Sequence, residues 1–441
     1  MEEALEKSMR QMKCGYDSLT GIYDLDTFKV KTSSVLNSQD SELKFALLYT
    51  DITHFERVNN LYGRQKADTL LIDLAQKIAE IDFGLELYCR SVADHFVLLL
   101  SYEDRSILGS HLEEFCRSFN AMAVERFPEA VPHLALGAYL ITDLKEPLED
   151  MVEKANEARK SLRERTSLNV LYYNPAEAGK KRRAKEIERD MLRAMERGEF
   201  KVYLQPKFDL TTKEIVGAEA LVRWIRDDGS MVYPDEFIPV FERNGFIRQL
   251  DFYMLKQVCG MLKRRLAEGK KCIPISINQS RVLLDSDTYT TDVAYVLSSF
   301  NTPPNLIELE LTERIFTDAL DEMAQMMDVL KKLGIRWSID DFGTGYSSLN
   351  LLKKLPVDII KIDKAFLDET ETSNVSRIII RKTVELTRAL DKVVVCEGVE
   401  TEAQARYLRE IRCDVAQGYL YAKPMPMTEF ETLVDTQGIV A

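Results

Sequence analysis

The chain has 441 residues, 45% hydrophobic and 30% charged, with a formal net charge of -13. That length exceeds one ordinary core and predicts two domains, while the acidic balance argues against a general nucleic-acid binder. Seven scattered cysteines without a CxxC pair argue against a disulfide framework or a zinc site, and no apolar run approaches the ~20 residues that cross a bilayer, so a reducing, cytoplasmic location with no membrane partner is expected.

The first 13 residues, MEEALEKSMRQMK, are charged and helical in character, unlike a signal peptide. Residues 45–53 and 87–101 read as buried strands, 68–81 as an amphipathic helix, 134–142 as a strand and 148–165 as a helix. This is a mixed α+β domain over residues 1–174. Residues 175–185 (PAEAGKKRRAK) are polar and lack periodicity, which predicts a linker. Its basic run, Lys180-Lys181-Arg182-Arg183, reads as a solvated linker or helix start before it reads as a nucleic-acid patch. Residues 186–441 form the second domain. It opens on an amphipathic helix over 183–198, with Gly198 as C-cap. Strands and helices then alternate, with helices over 233–269, 317–333, 373–390 and 401–411. About eight repeats over ~240 residues predict an α/β domain of (β/α)8, TIM-barrel type.

The strands of this second half have polar ends. Gln205, Glu219, Asn278, Glu310, Glu313, Asp340, Asp341, Lys361, Glu397, Glu400 and Gln417 each sit at or near the end of an apolar segment. Burying an unpartnered carboxylate is costly. One such residue is noise, but a series of them predicts a shared site where the strands of a barrel terminate. From Lys201 onward there is no histidine and no paired thiol, so a metal there is expected to be a hard cation held by oxygen.

Several convergent carboxylates suit phosphodiester hydrolysis. Two divalent cations about 4 Å apart deprotonate a water and hold the phosphoryl oxygens. Adjacent aspartates such as Asp340-Asp341 allow one to bridge while its neighbour binds a single ion. Lys361 can hold a phosphate oxygen or the attacking water, and Arg223 can clamp a phosphate. Taken singly, each residue has a plainer reading: Glu219 as a surface acid, Asp340-Asp341 as a turn opener before Gly343, Lys361 as a solvated lysine, Gln205 and Gln417 as structural amides. Cys396, beside Glu397, reads as core packing.

The segments YLQP, EALVRW, SIN, ELTER, DDFGTGYSSL, VDIIKID, EGVETEAQ and QGYLYAKPMP occur in this order between residues 185 and 436. At these residues the chain resembles the EAL family of cyclic di-GMP phosphodiesterases. The resemblance implies that Glu219, Asn278, Glu310 and Asp340 hold one Mg²⁺ or Mn²⁺ ion. Asp340, Asp341 and Glu397 would surround a second, with Glu397 also a candidate base. It further implies that Lys361 is the catalytic lysine, that Gln205, Leu221 and Arg223 contact substrate, and that Gln417 lies near the water. Glu313 and Glu400 would support these groups from behind, Glu313 by anchoring the DDFGTGYSS loop, which in the family links dimer contacts to catalysis. The implied reaction opens cyclic di-GMP to linear pGpG. The alternative is a silent receptor that binds cyclic di-GMP and signals to a partner.

Residues 12–172 resemble the GGDEF domain of diguanylate cyclases through YDSLTGIYDLDTF, LLYTDITHFERVNNLYG and RSVADHF. The signature itself reads Val92-Ala93-Asp94-His95-Phe96. Side chains replace both glycines that let backbone approach the nucleotide, and His95 replaces a metal-binding glutamate. Asp51 keeps one metal position. Asp24, Leu25, Arg64 and Ala67 also depart from the pattern, and Phe83 and Glu86 stand where an inhibitory RxxD site would fall. Cyclase activity is not expected. Two readings stay open for this domain: a regulator that binds GTP without turnover, or a scaffold for a homodimer.

Overall fold

The computed structural model describes residues 15–38, 43–162, 169–284, 287–313, 320–343, 348–368 and 374–437. The expected N-terminal helix lies outside them. The chain divides into two compact units at Arg182/Arg183.

The first unit is built on a six-stranded sheet. Its strands are β1 (Tyr23–Asp24), β2 (Lys44–Thr53), β3 (Leu85–Arg90), β4 (Phe96–Tyr102), β5 (His133–Leu140) and β6 (Val170–Tyr172), in the order β1-β3-β4-β2-β5-β6. β2 is central and buried on both faces: Ala46, Leu48 and Ile52 enter one apolar core, while Phe45, Leu47 and Tyr49 enter another. The segment expected as one strand over 87–101 is instead a hairpin. Ser91 N donates to His95 O and His95 N to Val92 O, which closes the turn between β3 and β4. Ala93 takes φ 53° there, a left-handed value that costs a residue with a Cβ. The helix Arg105–Arg126 was not anticipated; the Asp104 side chain caps it by accepting from the amides of Ser106 and Ile107.

The stretch 175–185, expected as an irregular linker, is helical. It forms the first half of a helix running from Pro175 to Glu196. Arg183 supports this state by pairing with Glu186 one turn on and with Glu236. Gly198 follows with φ 64°, as its place after the helix predicts.

The second unit is a closed eight-stranded barrel. Its strands are β7 (Phe200–Asp209), β8 (Ile215–Ile225), β10 (Ile275–Asn278), β11 (Ile307–Thr312), β12 (Arg336–Phe342), β13 (Ile359–Ile362), β14 (Val393–Cys396) and β15 (Val415–Ala416); β9 (Met231–Val232) and β16 (Met425–Pro426) flank it. Seven strands from β8 to β15 run parallel in succession. β7 closes the barrel antiparallel to both β8 and β15, so the repeat is not eightfold. The cause is local. Asp209 Oδ1 accepts from the amides of Thr211 and Thr212, and Lys213 takes φ 62°, so the chain turns back into β8 without a helix. The helix expected over 233–269 is two helices, Pro234–Asn244 and Ile247–Ala267, parted at Gly245 (φ 80°).

Outward-facing strand residues such as Ile275, Leu309, Trp337 and Ile339 share one apolar core with Leu255, Val258 and Leu262 of the helix Ile247–Ala267 and Met327 and Leu330 of the helix Leu320–Leu333. The inner wall is divided. On one side Ile359, Val395 and Val415 form a small apolar cluster. On the other lie the buried polar residues Lys207, Ser276, Glu308 and Ser338.

Candidate active site

Side chains alternate along a strand, so Glu308 and Glu310 share one side of β11, as do Ser338 and Asp340 on β12. The register places Asn278 beside Glu310 and Asp340 beside Thr312. On β7, Gln205 stands opposite Glu219 of β8. Gln205 therefore joins the site from mid-strand, because its strand runs the other way.

Lys361 is the hub. It is fully buried, and its Nζ lies 3.3 Å from Glu219 Oε2, 3.4 Å from Asp340 Oδ1 and 2.5 Å from Glu397 Oε1, with Glu310 Oε1 a fourth partner in contact. Glu219 is held further by Asn278 Nδ2 (3.0 Å) and Gln417 Nε2 (2.6 Å). Gln417 Nε2 also donates to Gln205 Oε1 at 3.1 Å. One oxygen from each of Glu219, Glu310 and Glu397 falls within 4.8 Å of the others.

Charge here is one-sided. Glu219, Glu310, Asp340 and Glu397 all meet the ammonium of Lys361, and the charge of Asp341 bears on Asp340 beside them. Burial first, then the charges of Glu397, Glu219 and Asp341, push the Asp340 carboxyl up to about 9. Burial likewise raises Glu397, outweighing Lys361. Burial acts to raise Glu219 too, yet Lys361, Lys207 and the amides of Gln417 and Asn278 hold it below the ordinary glutamate range. Glu310 Oε2 is buried without a hydrogen-bond partner among the described residues. Five carboxyl groups gathered around Lys361, two of them held above their ordinary range, form a site short of positive charge, which divalent cations would supply. Carboxylate and amide oxygens with no imidazole or thiolate suit Mg²⁺ or Mn²⁺.

The remaining expected residues take supporting or outlying places. Asp341 adopts φ 54°, and its amide donates to Asp340 Oδ1. Glu313 Oε2 accepts from Gly343 N at 2.7 Å, tying the end of β11 to the start of the loop; residues 344–347 of that loop lie outside the described residues. Leu221 and Arg223 continue along β8 beyond Glu219. The Arg223 guanidinium lies over the Tyr203 ring at 5.7 Å and donates to the Val222 carbonyl, with no ion pair among the described residues. Glu400 does not join the carboxylates; it pairs with Lys364. Cys396 is buried in an apolar cluster.

Sequence reasoning missed Lys207 and Glu308. Lys207 Nζ donates to Ser276 Oγ (2.9 Å) and Glu308 Oε1 (3.0 Å), directly behind Glu310. The signal was there: Lys207 lies two residues from Gln205, and Glu308 two from Glu310, so period-two alternation puts each on its neighbour's face.

In the first unit, the signature residues are tied internally. Asp94 Oδ2 accepts from Ile52 N at 3.0 Å, His95 Nδ1 meets Tyr49 Oη at 3.0 Å, and buried Asp51 is ion-paired with buried Arg159.

Residues 188–424 match the EAL domain family, and residues 14–167 the GGDEF domain family of diguanylate cyclases. The chain is 28% identical over 428 residues to the cyclic di-GMP phosphodiesterase NbdA of Pseudomonas aeruginosa, covering 96% of this chain and 54% of that protein. It is 28% identical over 383 residues to the bifunctional diguanylate cyclase/cyclic di-GMP phosphodiesterase MucR of the same organism, covering 87% and 56%. It thus spans about half the length of the curated relatives it matches. The solved PaMucR phosphodiesterase in complex with c-di-GMP is 33% identical, covers 56% of this chain and 99% of its own, and superposes with a TM-score of 0.53. A barrel closed over a lysine-centred ring of carboxylates and a sequence match over more than half its length agree: this chain belongs to the EAL domain family, with a GGDEF domain preceding the EAL domain.

Proposed function

We propose that the barrel hydrolyses cyclic di-GMP to linear pGpG. The observation that carries this reading is the excess of buried carboxylate around Lys361 at the ends of the barrel strands, in a chain of this family. Glu219, Asn278, Glu310, Asp340, Asp341 and Glu397 are the residues that would hold Mg²⁺ or Mn²⁺. Such ions supply an acidified water and neutralise phosphoryl charge.

The chain's own groups do the rest. Lys361 holds the attacking water or a phosphate oxygen in line with phosphorus. Glu397, raised by burial, is suited to take the water's proton, and the leaving 3′ oxygen departs opposite. Gln417 Oε1 is buried without a hydrogen-bond partner among the described residues, so it is open to accept from the water. Arg223, on the stretch of β8 beyond Glu219, clamps a phosphate, with Leu221 and Gln205 beside the substrate.

The GGDEF domain, on this reading, does not make cyclic di-GMP. Asp51 is already neutralised by Arg159, and His95 is engaged by Tyr49. Its role is regulation through bound GTP or support of a homodimer. Purified protein given cyclic di-GMP with Mg²⁺ or Mn²⁺ should yield pGpG. Binding without a linear product under either metal would replace the enzyme with a silent receptor. A GTP-dependent change in rate would select regulation over scaffolding.

A further inference from the structure

Beneath the carboxylate ring the barrel does something costly. Lys207 and Glu308, each about 95% buried, form an ion pair where the opposite wall uses Ile359, Val395 and Val415. A buried pair is commonly no better for stability than well-packed apolar residues, because both charges lose their hydration. Its location gives it a use. Glu310 Oε1 is held by Lys361, while Glu310 Oε2 faces Lys207 Nζ at 4.0 Å. Glu310 thus sits between two ammonium groups, one from β13 and one from β7.

Opposite Lys207 on β8 is Gly217. A Cβ there would touch Lys207 Cδ at an ordinary 3.8 Å and crowd the Pro274 carbonyl at 3.2 Å. Ser276 Oγ and Glu308 Oε1 each accept a hydrogen bond from the Lys207 ammonium, which fixes the direction of the charge.

We propose that Lys207 is a positioning residue for the phosphodiesterase site: oriented by Ser276 and Glu308, it fixes the Glu310 carboxylate so that the ring is preorganised for its cation. This rests on the reading of function above, so the test includes a readout that needs no turnover. Lys207→Met alone leaves Glu308 with only the more distant Arg336, 4.0 Å away, and lowers the melting temperature. Lys207→Met/Glu308→Leu removes both charges and restores stability. The inference expects this double variant to melt like the parent, bind Mn²⁺ about 10- to 100-fold more weakly (free Mn²⁺ by electron paramagnetic resonance, no substrate), and lose kcat similarly while KM for cyclic di-GMP stays within about twofold. A double variant with parental stability, Mn²⁺ affinity and kcat overturns it, since the pair is then a self-contained filler. A parent that binds Mn²⁺ without hydrolysing cyclic di-GMP sinks the reading of function and leaves Mn²⁺ affinity to judge Lys207. A parent that binds no Mn²⁺ overturns both.

Discussion

Asp251, on the helix Ile247–Ala267, is buried and accepts from Ser280 N at 3.0 Å. Burial pushes its carboxyl from 3.8 up to about 7. The folded state therefore keeps a proton that the unfolded chain releases near pH 4. The resulting stability is fully present below that pH, declines as pH rises, and is lost through pH 7. A difference of roughly three pH units corresponds to about 4 kcal/mol. Asp251→Asn keeps an oxygen for the Ser280 amide and cannot ionise. The parent should lose about 3 kcal/mol relative to the variant between pH 4.5 and 8, with the variant more stable at the alkaline end. Both tryptophans, Trp224 and Trp337, are fully buried in the barrel unit, so fluorescence-monitored urea unfolding reads that unit selectively. Taking the difference between parent and variant cancels other titrations, provided they are distant. A parent-minus-variant difference that stays flat across this range would refute the assignment of a neutral, burial-shifted Asp251.

Lys361→Ala should abolish pGpG formation. It also removes the cation from the carboxylate ring, so Mn²⁺ should raise the fluorescence midpoint more in this variant than in the parent; an equal rise would show that Lys361 is not the ring's counter-ion. Arg159→Met takes from buried Asp51 its guanidinium and should cost the first unit about 3 kcal/mol, with Asp51→Asn in the same chain recovering much of it. Calorimetry reads this, since the first unit has no tryptophan, and an unchanged first transition would contradict it. Gly418→Ala would place a Cβ 2.1 Å from Val399 O and 2.3 Å from Val399 N. Backbone cannot yield as a side chain does, so a loss of about 2–3 kcal/mol is expected, with weaker activity through neighbouring Gln417. A variant melting like the parent would rule out that contact.

The parallel part of the barrel and most of its site were legible because function violates packing there: Glu310, Asp340, Lys361 and Glu397 interrupt apolar strands that have no structural need of charge. The reversal of β7 was not legible. Its turn, DLTTKE, has no glycine or proline and is made by the Asp209 side chain. Lys207 and Glu308 were hidden by attention to strand ends, since both lie one layer deeper. The helical state of 175–185 depends on tertiary and i,i+3 partners such as Glu236 and Glu186, which a local reading of charge does not supply. Glu400 was read by likeness to the family, and the structure pairs it with Lys364, whose side chain passes so close to Gly398 that a Cβ there would lie 2.5 Å from it.

The reversed strand β7 also sets the order in which activity can appear. It pairs at once with β8, its neighbour in sequence, but its other edge waits for β15, and the Gln205–Gln417 hydrogen bond joins residues 212 apart. On the ribosome, every acid of the carboxylate ring from Glu219 to Glu397 emerges before that edge can close. Until then the growing chain carries its acids on an open sheet whose free edges invite pairing with other chains. Assembly of the site thus waits on long-range pairing across the barrel, and a chain stalled before Val415 holds the acids of the ring without the enclosure that brings them together.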